Sequence, residues 1–347
     1  MMRKKVTLKK KHTKRRKVMN ANANGLQKLE TFIKNGDSQG ALAVIKEGNY
    51  DPAYISPNGN TALIWACQYY LPEIALALLS SGTAKPEHIG SQKNTALIWA
   101  CYNMHDVALK ILNSGNSRPD HANDEGKTAL YYAISNKMEN NKIFKLIAAS
   151  KASVGQITKK NKETALIKAC KNNIAQVALK LLETREAKPE HIDKDGLTAL
   201  EWASGYNCDK QMENFTLKLI ATKKARPEHI TRENRNALAY ACGSNKNKVA
   251  LKLLQLGTSN PGLISKSKTG GNSTALISAC KNKMTKVALK LLETGRCNPA
   301  HINKDGYTAL YWANVNELPR ILREKIIEMC NKQKEKERKT RKNKRRI

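Results

Sequence analysis

Thr95-Ala96-Leu97-Ile98-Trp99-Ala100-Cys101 decides the fold, because the chain says it again and again. Its opening returns as Thr61-Ala62-Leu63, Thr128-Ala129-Leu130, Thr164-Ala165-Leu166 and Thr198-Ala199-Leu200. It returns once more as Asn236-Ala237-Leu238, Thr274-Ala275-Leu276 and Thr308-Ala309-Leu310. Successive copies lie 34, 33, 36, 34, 38, 38 and 34 residues apart. A second phrase recurs later in the units, as in Ala75-Leu76-Ala77-Leu78-Leu79 and Ala178-Leu179-Lys180-Leu181-Leu182. Both phrases space their apolar residues as a helix does. A period of this size marks two-helix units, each too small to bury its own apolar face without neighbours.

The local chemistry agrees. The anchoring Thr suits an N-cap, its hydroxyl accepting a free backbone N–H. Gly82, Gly115, Gly257 and Gly295 stand where the second helix ends and a left-handed residue is needed. Asp193-Lys194-Asp195-Gly196 and Asn303-Lys304-Asp305-Gly306 are turn sequences. Ala41-Leu42-Ala43-Val44-Ile45 matches the second phrase one period early, so residues 26–48 read as a degenerate first unit. The expected fold is all-α: a solenoid of about nine stacked helix-turn-helix units with hairpin-like turns between them. The long spacings after Thr198 and Asn236 predict enlarged loops around 208–214 and 265–273.

Of the 347 residues, 40% are apolar but only 5% aromatic, so the core must be built from Ala, Leu, Ile and Val. The net charge is +33, and residues 1–18 and 332–347 carry 18 of those charges. Like-charge repulsion without apolar residues predicts disorder at both ends. The expected organisation is a basic disordered arm over 1–25, the array over 26–330 and a basic disordered tail over 331–347. No apolar run is long enough to span a membrane, and the N-terminus lacks the apolar core of a secretory signal. The chain is expected inside a cell, in a reducing compartment.

With its period and with Asp195-Gly196-Leu197-Thr198-Ala199-Leu200 at the turn, the chain resembles the ankyrin-repeat family over about residues 26–330. The resemblance implies a binding scaffold whose first helices line a concave side. Ala stands in place of that family's Pro, and Ile, Tyr, Glu or Ala in place of its His. The implied Thr–His hydrogen bond is therefore absent. The wording Thr-Ala-Leu-Ile-Trp-Ala-Cys with a later Pro-Glu-His-Ile is similar to arrays encoded by giant DNA viruses of amoebae. That implies a viral protein in the host cytoplasm or viral factory, or in the nucleus if the basic ends serve import.

Trp65, Trp99, Trp202 and Trp312 all lie four residues after an anchor, and Tyr132 and Tyr240 fill the same slot. Lys168 and Ser278 break the series. Six rings from one slot form a stripe, either an interface anchor row or packing between units. Residues just beyond it vary from copy to copy, for example Gln68-Tyr69, Tyr102-Asn103 and Lys281-Asn282, and turn tips such as Arg232 and Arg235 are basic. Variation on a repeated frame is how a solenoid acquires a partner-specific surface. The expected partner is therefore a protein, bound by a monomeric chain.

The ends are candidates for polyanion binding or import: Lys9, Lys10, Lys11, Lys14, Arg15, Arg16 and Lys17, then Arg338, Lys339, Arg341, Lys342, Lys344, Arg345 and Arg346. No aromatic residue is interleaved, so contact would be with nucleic-acid phosphates rather than bases.

Cys67, Cys101, Cys170, Cys242 and Cys280 share one repeat position. Helices pack roughly 8–10 Å apart, too far for a disulfide ladder, so these read as buried core thiols. His88, His121, His191, His229 and His301 share another position and read as one loop-stabilising bond per unit. Neither set implies a metal, and no cofactor is expected. Gly126-Lys127-Thr128 lacks the earlier glycine of a phosphate loop, since that position is His121. Without a catalytic signature the chain reads as a non-enzyme. Leu318-Pro319-Arg320-Ile321-Leu322 is faintly like the opening of an F-box, the mark of a ubiquitin-ligase adaptor. Pro319, however, sits eleven residues after Thr308 as Pro72 does after Thr61, which suits the start of a terminal capping helix.

Overall fold

The computed structural model describes residues 25, 27–48, 55–82, 84–205, 209–266 and 271–344. They fall into two compact units, Met1–Lys159 and Lys160–Ile347. The first contains α1 (27–34), α2 (Ser38–Glu47), α3 (Ala62–Gln68), α4 (Pro72–Ser80), α5 (Ala96–Asn103), α6 (His105–Asn113), α7 (Ala129–Ser135) and α8 (Asn140–Ala149). The second contains α9 (Ala165–Lys171), α10 (Ala175–Glu183), α11 (Ala199–Gly205), α12 (Lys210–Ala221), α13 (Ala237–Gly243), α14 (Asn247–Leu256), α15 (Ala275–Lys281), α16 (Thr285–Glu293), α17 (Ala309–Val315) and α18 (Arg320–Lys344). These make nine helix pairs, and the described residues contain no strand, only two isolated bridges.

Each pair is antiparallel neighbours joined by a short turn, and like stacks on like. In the first unit α3, α5 and α7 form one layer and α2, α4, α6 and α8 the other. In the second unit α9, α11, α13, α15 and α17 form one layer and α10, α12, α14, α16 and α18 the other. The anchors nucleate the first helices as expected. Thr95 Oγ1 accepts the Ile98 N–H at 3.3 Å, and Asn236 Oδ1 accepts the Ala239 N–H at 3.0 Å. The core is the predicted one of small and branched residues: in α5, Ala96, Leu97, Ile98, Ala100 and Cys101 are all buried. Among second helices, α14 ends on left-handed Gly257 (φ 70°), whereas Arg185 (φ 65°) takes the left-handed turn after α10 without glycine.

Successive turns are also joined by backbone bonds. Lys194 donates to the Asn161 carbonyl at 2.9 Å, and Lys304 to the Gly271 carbonyl at 2.7 Å. Four of the five repeat histidines add the expected link. The Nε2 atoms of His88, His121, His191 and His301 stand 2.7–2.8 Å from the carbonyls of Gly59, Lys93, Lys162 and Asn272.

Two expectations need correction. Residues 210–214, expected in an enlarged loop, open the 12-residue α12, because Asp209 accepts the Met212 N–H and starts the helix there. Of the two expected loops, residues 208 and 267–270 lie outside the described residues. The basic tail expected to be disordered from 331 onward instead continues α18 through Lys344. Its Lys, Glu, Arg and Gln residues are good helix formers, and Lys332–Glu328 and Gln333–Glu337 bond one turn apart. Leu318, Leu322 and Ile326 are buried at the start of that helix, as in a terminal repeat rather than a separate motif.

Candidate functional site

The six rings divide between the units, Trp65, Trp99 and Tyr132 in the first and Trp202, Tyr240 and Trp312 in the second, and most are roofed rather than bare. Trp65 and Tyr240 are buried, and Trp99, Tyr132, Trp202 and Trp312 are half-buried. A cation lies over five of them: Lys34 over Trp65 at 5.8 Å, Lys127 over Tyr132 at 5.4 Å, Lys171 over Trp202 at 4.3 Å, Arg235 over Tyr240 at 4.0 Å and Lys281 over Trp312 at 5.2 Å. The cations come from two places. Lys34, Lys171 and Lys281 end the first helix of the preceding unit, the last two seven residues after their anchors; Lys127 and Arg235 stand one residue before the anchor of the ring's own unit. A charge held on a ring face is an electrostatic contact of about 0.5–2 kcal/mol, so both partners are held in place. The sequence names the rings, and Arg235 and Lys281 as variable or basic positions, but the pairing of each cation with a ring emerges only from the stacking.

The exposed aromatic surface lies one turn further along. In the first unit, Tyr69, Tyr70 and Tyr102 are 41%, 42% and 39% exposed, amounts that for side chains this large leave much ring in water. Tyr70 and Tyr102 have ring centroids 6.1 Å apart, and Tyr102 and Tyr132 5.8 Å. The three rings form a continuous row along the ends of α3, α5 and α7. In the second unit Tyr311, Val315, Ile321 and Ile327 are exposed on α17 and α18, and Ile230, Leu256 and Ile302 are exposed singly elsewhere.

Charge is arranged differently from site to site. Lys171 bonds Glu163 Oε1 at 2.7 Å and stands 3.7 Å from Asp195. Glu201 is fully buried, and one of its oxygens accepts both the backbone N–H of Thr198, at 2.8 Å, and that residue's hydroxyl. Its other oxygen faces His229 Nδ1 at 3.4 Å, and neither atom has a hydrogen-bond partner. His229 is thus the repeat histidine turned to a carboxylate rather than a carbonyl.

The repeat thiols Cys67, Cys101, Cys170, Cys242 and Cys280 are buried and unbridged. Burial pushes the thiol pKa of Cys242 and Cys280 up to about 12, and those of Cys67 and Cys101 higher still. Among the described residues no group of three His, Cys, Asp or Glu side chains converges as a metal site, and no helix is long and apolar enough to cross a membrane. Of the polyanion candidates, Arg338, Lys339 and Arg341 are exposed on α18, and the backbones of Lys342 and Lys344 belong to the same helix. Lys9, Lys10, Lys11, Lys14, Arg15, Arg16, Lys17, Arg345 and Arg346 lie outside the described residues.

No curated protein matches the chain. Among solved structures, it is similar to a chain in the complex of the Bd0816 predatory endopeptidase from Bdellovibrio bacteriovorus with immunity protein Bd3460. That match has 24% identity over 57% of this chain and 98% of the other, with a TM-score of 0.43. The ankyrin repeat domain of Bcl-3, a member of the IkappaB protein family, matches at 20% identity over 66% of this chain and 97% of that one, with a TM-score of 0.45. The family described as ankyrin repeats (3 copies) matches residues 84–158 and 137–214. Together with helix pairs that stack like on like within each unit, that match makes the fold an all-α stack of ankyrin repeats.

Proposed function

We propose that the chain is a non-catalytic scaffold that binds a protein partner, acting as a monomer inside the cell. The observation that carries this is the row Tyr70–Tyr102–Tyr132, its first two rings exposed, in a unit whose other apolar residues are mostly buried. Exposed tyrosines in contact present large, rigid surface with a polar tip, the composition favoured at interface centres. The similarity of the repeat wording to arrays of giant viruses points to a host or viral protein as that partner. The test is quantitative mass spectrometry of proteins retained, after nuclease treatment, by the wild-type chain and by a Tyr70→Ser, Tyr102→Ser variant. A set of partners held by the first and lost by the second is expected; identical sets would refute the reading.

A second reading has its own observation: the continuation of α18 holds Arg338, Lys339 and Arg341 exposed on one ordered helix. Such a helix, with the basic N-terminal arm, suits non-specific contact with nucleic-acid phosphates. Partners that vanish on nuclease treatment would favour it. The buried start of α18 gives no support to a ligase-adaptor role.

A further inference from the structure

Residues 160–347 contain the same site twice, three repeats apart, and the two copies differ in charge. In the first copy Lys171 lies over Trp202, bonded to Glu163 and close to Asp195, while Asp193 accepts the Trp202 indole N–H at 2.8 Å. In the second copy Lys281 lies over Trp312. Counted from the anchors Thr164 and Thr274, and then Thr198 and Thr308, Ser273 replaces Glu163 and Asn303 replaces Asp193. Asp305 retains the place of Asp195, and Ser278 replaces Lys168. Two carboxylates and one lysine have gone.

What remains is a cavity of about 390 Å³ lined by Arg235, Ser273, Ser278, Lys281, Asn303 and Trp312 among others. Ser278 is also the gap in the aromatic row, so the space lies between the Arg235–Tyr240 pair on one side and the Lys281–Trp312 pair on the other. Two cations face it against the single carboxylate of Asp305. Arg235 reaches Glu233 only at 4.0 Å, and among the described residues Lys281 makes no salt bridge. The first copy closes on its own charges; the second is open and electropositive.

We propose that this cavity receives carboxylate side chains from an acidic segment of a protein partner. They supply from outside the anions that Glu163 and Asp193 supply within the first copy. The inference rests on the reading of the chain as a protein-binding scaffold and names the chemistry of one contact. Charge complementarity selects the segment, and the ring faces behind the cations keep Lys281 and Arg235 in place to meet it.

The test uses the full chain and a fluorescein-labelled poly-glutamate peptide, followed by anisotropy at physiological salt. The basic ends attract any polyanion, so they are kept in every variant. Ser273→Glu with Asn303→Asp rebuilds the first copy's charges in the second and should weaken binding by about tenfold. Lys281→Met should weaken it similarly with the cavity left open. Lys218→Glu, which changes the net charge as much as the double variant on an exposed face of α12, should change it by less than about twofold. Unchanged binding in the double variant and Lys281→Met, or an equal loss in Lys218→Glu, would overturn the assignment. So would binding of a phosphoserine peptide where poly-glutamate fails, because the recognised group would then be phosphate. Loss of the cavity assignment with tyrosine-dependent capture intact would leave the scaffold reading standing.

Discussion

Trp202 donates its indole N–H to Asp193 at 2.8 Å, while Trp312, in the equivalent place, has its indole nitrogen buried with no acceptor opposite Asn303. The difference is one oxygen. Asp193 Oδ1 accepts the N–H groups of Asp195 and Leu197, leaving Oδ2 for the indole. Asn303 spends its only oxygen on Asp305 and Tyr307 and presents an amide donor where the second would be.

Asp193→Asn should therefore orphan Trp202 as Trp312 is orphaned. An unsatisfied buried donor costs about 1–3 kcal/mol, and the loss should appear as a lower urea midpoint with an unchanged slope. Asn303→Asp alone should move the midpoint the other way. Equal midpoints in all three proteins would show that the indole bond is energetically idle.

The repeat thiols should resist alkylation. Only thiolate reacts, and burial both raises the thiol pKa and blocks access. With iodoacetamide at about pH 8, Cys330, which is only half-buried, should label before Cys67, Cys101, Cys170, Cys242 or Cys280. Raising the pH to about 9.5 should leave those five slow until denaturant is added, because burial pushes the Cys242 and Cys280 thiols up to about 12. Peptide mapping of the labelled sites decides it, and early label at Cys101 would contradict the packing.

Acidification should loosen the first unit through His105. Burial, and then the charge of Lys142, hold its imidazole pKa below the ordinary value. The unfolded chain then takes the proton first, so His105's contribution is complete above about pH 6.5 and falls away as the pH drops below it. Asp106, held low by its bond from Lys142, adds loss of the same sign in more acid solution. His105→Gln should flatten the fall in denaturation midpoint between about pH 7.5 and 5; an unaltered slope would assign the effect elsewhere.

Deleting residues 1–18 and 332–347 removes 18 positive charges. Leu322 and Ile326, the buried contacts of α18, are kept, so the melting temperature should hold while the helical signal falls slightly. If the ends carry nucleic-acid affinity, filter binding by the full chain should fall with salt at a log–log slope of about −0.9 per duplex phosphate contacted, and the truncated chain should bind weakly at every salt concentration. Tight binding by the truncated chain would move the polyanion surface onto the repeats.

The fold was legible because its signals are local and repeated: an anchor cap, an Ala-Leu core phrase, and a turn, each in phase with the others. The fate of residues 331–344 was harder to read. Charge density argues for disorder there, yet one-turn Lys–Glu pairs and continuity with a packed helix win. The stripe residues could be placed by period, but exposure depends on neighbours from the adjacent unit, such as Lys34 above Trp65. Tyr70 went unnoticed because it has no counterpart in the other copies, and repetition was the signal being followed. The cavity beside Ser278 is visible in sequence only as three scattered substitutions, and becomes one object when three successive repeats stack.

The histidine links carry a further meaning. Each joins positions 28 or 29 residues apart, and it does so where neighbouring anchors are 33 or 34 apart. His229, which lies within a spacing of 38, is turned elsewhere. Excision of residues 61–94 would set Asn60 before Thr95 and bring His121 to the carbonyl of Gly59, an exchange of like for like. The clamp thus works as a gauge of module length. A gene of this kind can gain or lose whole copies by unequal recombination and still encode junctions that close.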